Sequence, residues 1–484
     1  MKSKLLLLLF CLTAFTAIAK PITIKGIING KLPEILYYTA PVNGSSGFDF
    51  SHKAKMDTHG NFEIKIDIDA VTFIDIYYKY QPAGSIVATP GNTYGITITE
   101  NDGKINSVFT AKDLEGQNAY NKMLGSNRMS SALGIAKEIG NLGTTDAIQK
   151  LIDEKDIGDV ARFQSLYNAK VISSDFLDAI KTERKYFYAV ALGYGIMTKE
   201  YFDEKTNTVI SPAPEFFKLW GNMLDKYGTN FNELHKNPYG YRYLQIYKVY
   251  KLYEDANFKP IVNNSMLDLF TTKRAWFTDS NLEYYVAAYL SFDLMEGMKE
   301  EVLLDMYDAF KKEFPKSGYI KYLDPLIAPL AEFRKQKTSL PANASFVNDY
   351  ANVNSVDELI KKFPGKKLYI DVWATWCGPC RDEFKYKAEL YKLLKANDIT
   401  VVYVSIDDDE RDEAWKKMIN FYGLESYHIR TNKTFSNQLY YFFNVSGTIA
   451  IPWYLLVGAD GTIVSKYAAP PSEMDKLEKE ISKL

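Results

Sequence analysis

Two cysteines three positions apart, Cys377 and Cys380, enclose Gly378 and Pro379 and follow the run Asp371-Val-Trp-Ala-Thr-Trp376. The run reads as a buried strand that ends at the start of a helix. Backbone N–H groups and the helix dipole at that start favour an anion, so the Cys377 thiolate is stabilised. Pro379 is tolerated there because first-turn N–H groups have no partner within the helix. Cys380 lies one turn on and on the same side, within reach of a disulfide. Cys377 is thus expected as an exposed nucleophile and Cys380 as its resolving thiol. Attack on a substrate disulfide gives a mixed disulfide at Cys377, which Cys380 displaces.

Other uses of a Cys-x-x-Cys pair fit less well. Tetrahedral zinc needs two more ligands, yet the only other cysteine is Cys11 and the histidines are His52, His59, His235 and His428. Covalent haem attachment needs histidine after the second cysteine, where Arg381 stands. Pro and Thr do not flank Cys377 as they would a peroxidatic cysteine. Dithiol–disulfide exchange is the expected chemistry, with no metal and no cofactor.

The elements that must position the pair alternate between strand and helix. Strands are expected at Lys367–Trp373, 399–406, Trp453–Val457 and 462–467, with helices from Gly378, at 411–422 and from Ser472. Asp460-Gly461 marks a closing hairpin, so the domain is α/β with an antiparallel edge. Upstream, Phe62, Ile64, Ile66 and Ile68 alternate with charged residues, as do Ile74, Ile76 and Tyr78, and Tyr94, Ile96 and Ile98. This period of two predicts a β-sandwich at 20–111. From 112 to 335 the spacing turns to three and four, and an all-α region is expected. Tyr239, Tyr241, Tyr243, Tyr247, Tyr250 and Tyr253 there are read as helix packing rather than a glycan- or peptide-binding surface. A polar stretch at 334–354, carrying Pro341, reads as a linker into a last domain at 336–484.

Residues 1–19 have the form of an export leader: Lys2 and Lys4, the apolar run Leu5–Phe15, then Ala17-Ile18-Ala19. The run is too short to span a bilayer as a helix, which takes about 20 residues. An exported chain is then expected with no membrane span and only the Cys377–Cys380 pair. The 484 residues suffice for about three domains. A formal net charge of −2 leaves no electrostatic footprint for nucleic acid.

Trp373-Ala-Thr-Trp-Cys-Gly-Pro-Cys380 resembles the active site of the thioredoxin superfamily, and with the export leader it resembles the TlpA/ResA-like envelope branch. The resemblance covers 340–484. It implies a thioredoxin-like fold, with Asp371 matching the buried carboxylate that takes the resolving thiol's proton. Glu383 matches an acid placed near the site in ResA-like proteins. Pro452 matches a cis-proline facing the disulfide, leaving the Ile451 backbone free to pair with an extended substrate. Trp376, Gly378 and Pro379 would complete the substrate-binding surface. Trp453-Tyr454 departs from the commoner Thr-Thr after that proline.

These features together predict a periplasmic thiol–disulfide oxidoreductase. The Gly-Pro dipeptide favours a reductase of exported proteins, supplied with electrons by a membrane thiol reductase. The rival readings are a disulfide oxidase or isomerase, and an envelope binding protein whose thioredoxin-like domain senses redox state.

Overall fold

The computed structural model describes residues 19–33, 35–48, 52–79, 81–101, 103–125, 127–203, 208–261, 265–295, 302–443 and 451–484. The expected leader at 1–19 lies outside these except for Ala19. Two compact units emerge: described residues up to Tyr289 with Phe310–Tyr319, and Leu290–Ala309 with Ile320–Leu484.

In the first unit, alternation builds two four-stranded sheets. One runs β4 (Asn61–Ile68), β1 (Lys20–Asn29), β7 (Thr93–Asn101), β8 (Lys104–Thr110); the other β3 (His52–Ala54), β2 (Leu36–Tyr38), β5 (Thr72–Tyr78), β6 (Gln81–Ala88). Their inward residues, including Ile22, Ile24, Ile64, Ile74, Ile76, Ile86, Tyr94 and Ile96, join one apolar cluster. Burying each such side chain stabilises the fold by roughly 1.5–3 kcal/mol. Gly26 is required where β1 meets β4, because a Cβ there would lie 2.1 Å from the Phe62 ring.

Helices follow: α1 (Leu114–Leu124), α2 (Arg128–Asn141), α3 (Thr145–Asn168), α4 (Ser174–Met197), α5 (Pro214–Tyr227), α6 (Phe231–Leu234), α7 (Gly240–Asp255), α8 (Asp279–Met295), α9 (Val302–Glu313) and α10 (Ile320–Arg334). The region is not purely helical. Strands β9 (Tyr201–Asp203) and β10 (Thr208–Ile210) form an antiparallel ribbon, both being short runs rich in β-formers. Tyr239, Tyr241, Tyr243 and Tyr253 are buried in helix packing. Arg128 holds Asp75 of β5 through two 2.8 Å hydrogen bonds and reaches the fully buried Glu183 of α4. Deleting one partner of such a buried network costs about 3–5 kcal/mol.

The second unit carries a six-stranded sheet ordered β11 (Ala344–Phe346), β14 (Ser426–Arg430), β13 (Ile399–Ser405), β12 (Lys367–Trp373), β15 (Trp453–Val457), β16 (Ile463–Ser465). The first four are parallel; β15 runs antiparallel to β12, and β16 to β15. Around the sheet lie α11 (Val356–Lys361), α12 (Gly378–Glu383), α13 (Lys387–Ala396), α14 (Asp412–Tyr422), α15 (Lys433–Phe442) and α16 (Met474–Ile481). Leu368 through Trp373 are buried along both faces of β12, as a central strand flanked by parallel and antiparallel neighbours requires. The stretch 334–354 is more than a linker, because β11 within it pairs Ala344 with Ser426 and Phe346 with His428. Among the described residues no helix is long and apolar enough to cross a membrane.

Candidate active site

Strand β12 delivers the site. Its last residue is Trp373, and after Ala374, Thr375 and Trp376 the chain turns into α12 with Cys377 as its N-cap. Cys377 Sγ accepts the N–H of Cys380 at 3.1 Å, an interaction that strengthens when the sulfur is charged. Cys377 and Cys380 are joined as a disulfide, their Cα atoms 5.3 Å apart. The expectation of an exposed Cys377 needs correction. Cys377 is 4% accessible and Cys380 1%, since the N-cap position draws the first sulfur toward the helix and the chain at Ile451 lies over it. Trp376, by contrast, is 36% exposed, Pro379 is exposed and Gly378 half-buried.

The peptide bond Ile451–Pro452 is cis, and the Ile451 carbonyl oxygen lies 3.5 Å from Cys377 Sγ. Pro452 leads directly into β15, whose Trp453 pairs with Val372 of β12 and stacks on Phe443 at 3.9 Å. The Ile451 carbonyl thus lies against the disulfide sulfur, on the short segment Ile451–Pro452 that enters the strand beside β12.

Asp371 is 2% exposed on the β12 face that also carries Tyr369 and Trp373. That face is covered by the segment containing α12, as the edge-on packing of Trp373 against Phe384 attests. Burial pushes the Asp371 carboxyl well above the usual carboxylate range, and the charge of Glu383 pushes it further. Its Oδ1 has no hydrogen-bond partner among the described residues. Glu383 is half-buried; its Oε2 accepts the N–H of Ser472 and its Oε1 the Ser472 hydroxyl, both at 2.8 Å. Glu383 therefore fastens the segment before α16 while lending its charge to the Asp371 neighbourhood.

A protein-family model described as Redoxin matches residues 337–481. The thiol-disulfide oxidoreductase ResA of Bacillus thuringiensis is 27% identical over 125 residues, 26% of this chain and 67% of the relative. That of Bacillus anthracis is 38% identical over 66 residues, 14% of this chain and 37% of the relative. Residues 337–481 thus form a thioredoxin-superfamily domain that resembles the TlpA/ResA-like branch. The match supports thiol–disulfide oxidoreductase activity for this domain, is confined to the last third of the chain and spans only part of each curated relative. A solution structure from Bacteroides vulgatus, itself provisionally assigned as a thiol–disulfide oxidoreductase, is 31% identical over 26% of this chain and 77% of its own, with a TM-score of 0.23.

Within this thioredoxin-like unit, one group of residues escaped the sequence reading. Asp407, 1% exposed just beyond β13, accepts the N–H of Thr375 at 2.9 Å, the Thr375 hydroxyl at 2.7 Å and the Ser405 hydroxyl at 2.7 Å. Arg381 donates to the carbonyl oxygen of the same Thr375. The loop between β12 and Cys377 is thereby held from both sides. Burial pushes the Asp407 carboxyl up, opposed by the hydrogen bonds from Thr375 and Ser405. Thr375→Val removes one donor from this buried carboxyl and is expected to lower the opening free energy of β12 by about 2 kcal/mol. Amide hydrogen exchange along β12 measures it; unchanged protection would mean that Asp407 does not brace the loop. Among the described residues no three His, Cys, Asp or Glu side chains are grouped to hold a metal ion.

Proposed function

We propose that the protein is an exported disulfide reductase of the bacterial periplasm, acting on disulfides of other exported proteins. The observation that carries this reading is the placement of Cys377. Its sulfur caps a helix, takes the N–H of Cys380, and lies beside the carbonyl of a residue in cis linkage to proline. In the reduced protein the Cys377 thiolate attacks one sulfur of a client disulfide and expels the other as a client thiolate. Cys380 then gives its proton to Asp371 and attacks Cys377 Sγ. The Cys377–Cys380 disulfide forms, and the client leaves with its second thiol. Two electrons pass to the client, so a membrane thiol reductase must return two to the protein.

Trp376, Gly378, Pro379, Ile451 and Pro452 serve as the client-binding surface, with the Ile451 backbone pairing an extended client segment. The domain reading is a leader at 1–19, a β-sandwich at 20–111, a helical region at 112–335 and the thioredoxin-like domain at 336–484.

The direction of transfer is tested by titrating the pair against a thiol buffer. Thioredoxin itself lies near −270 mV and the oxidant DsbA near −120 mV. The Gly378-Pro379 pair leads us to expect a value near the first. A value near the second would make the protein an installer of disulfides.

A further inference from the structure

The row of side chains at Asp371 holds two tyrosines that the mechanism above leaves unused. In the register of the sheet, Asp371 pairs with Tyr403 of β13 on one side and with Tyr454 of β15 on the other. Directly paired residues point to the same face, their Cβ atoms about 4.5–5.5 Å apart. Both phenols therefore stand beside the carboxyl, beneath the segment that carries Cys380. They differ in one respect. The Tyr403 hydroxyl is engaged with that of Tyr391 at 2.8 Å, and Tyr391 also accepts the N–H of Glu425 at 3.0 Å. Tyr369, on the same face, donates to the Ala469 carbonyl at 3.0 Å. Tyr454 is 4% exposed, and its hydroxyl has no partner among the described residues.

A buried tyrosine hydroxyl without a partner is uncommon. Here it shares the row with a buried carboxyl oxygen that also lacks one. We propose that Tyr454 is a positioning residue for the redox reaction, its hydroxyl donating a hydrogen bond to the Asp371 carboxylate when that group ionises. The inference rests on the reading of Asp371 as proton acceptor. Burial, and then the charges of Asp371 and Glu383, keep the Tyr454 phenol protonated, so it is a donor throughout the working pH range. The other groups around the carboxyl are already committed. Glu383 is taken by Ser472, and Glu480 accepts the N–H of Ala469 at 2.9 Å. His428 lies beyond Tyr403, stacked on its ring, and burial pushes it down to about 4, so it is neutral near pH 7.

A donor that binds only the ionised carboxyl lowers the pH at which Asp371 can take the Cys380 proton. Tyr454→Phe keeps the ring stacked on Tyr369, 5.5 Å away, and removes only the unpaired hydroxyl, so folding should persist. The experiment follows the resolution of a Cys377 mixed disulfide against pH in the full chain by rapid mixing. Tyr454→Phe is expected to move the midpoint about one pH unit higher, hence a rate about tenfold lower below it. Tyr403→Phe, whose hydroxyl is already engaged, should leave the midpoint in place. The carboxyl band of Asp371 in infrared difference spectra gives the same midpoint without relying on turnover. An unshifted midpoint in Tyr454→Phe by both readouts, or an equal shift in Tyr403→Phe, would overturn the inference while leaving Asp371 as acceptor. If Asp371→Asn retains the wild-type pH profile, the acceptor reading fails, and the role of Tyr454 with it.

Discussion

Cys377→Ser is expected to bring reduction of insulin disulfides down to the uncatalysed rate, whereas Cys380→Ser should still attack but remain trapped as a mixed disulfide with its client. The asymmetry follows from where the two sulfurs stand. Cys377 Sγ receives the Cys380 N–H at 3.1 Å and lies at a helix N-cap, where unpaired donors favour a negative sulfur. A hydrogen bond to a charged group contributes about 1.5–3 kcal/mol, which favours the thiolate at Cys377. Cys380, inside the first turn, serves to expel the client. Turbidity on insulin reduction measures the first variant. Intact-mass analysis of Cys380→Ser after mixing with an oxidised client measures the second, and one client per chain is the expected adduct. Substantial turnover by Cys377→Ser would place the chemistry elsewhere and remove the basis of the proposed function.

How much of this was open to reading depends on whether the signal is local. Strands β12 and β15 were legible to the residue because each is a short, predominantly apolar run bounded by the redox motif or by Pro452. Helix α14 was legible to within one residue from its apolar spacing. Strand β11 was not, since three residues in a polar stretch carry no period and exist as a strand only through pairing with β14. Strand β14 buries only His428 and Ile429, too few for an alternation to stand out. Asp407 opens the run Asp407-Asp408-Asp409, which has the look of a solvated charge cluster, yet only the neighbouring loop reveals that its first member is buried. The burial of Cys377 and the pairing of Tyr454 with Asp371 are likewise tertiary. Each requires knowing which strand lies beside which, and nothing within β12 or β15 alone specifies that.

Asp371→Asn should have opposite effects on rate and stability, and the opposition is what makes it informative. As proton acceptor for Cys380, Asp371 lowers the barrier to resolution, and general base catalysis of this kind is worth about a hundredfold or more. The variant should therefore hold its mixed disulfide about a hundred times longer above the pH at which Asp371 ionises, and lose the rising limb of the pH profile. Stability runs the other way because the folded carboxyl titrates above the unfolded one, burial being the main cause. Between the unfolded value near 4 and the higher folded value, the unfolded chain releases this proton and the folded chain keeps it. Rising pH therefore destabilises the fold across that window, by about 1.4 kcal/mol for each pH unit, and below pH 4 the effect vanishes. Asparagine, neutral in both states, escapes the loss. The stability difference between Asp371→Asn and the natural chain, read from the slowest-exchanging amides of β12, should be small near pH 4 and widen in the variant's favour toward neutrality. A variant less stable than the natural chain at pH 7 would mean that Asp371 is ionised and paired in the fold. A carboxylate already ionised and paired at pH 7 is a poor acceptor for the Cys380 proton, and the proton would have to leave by another route.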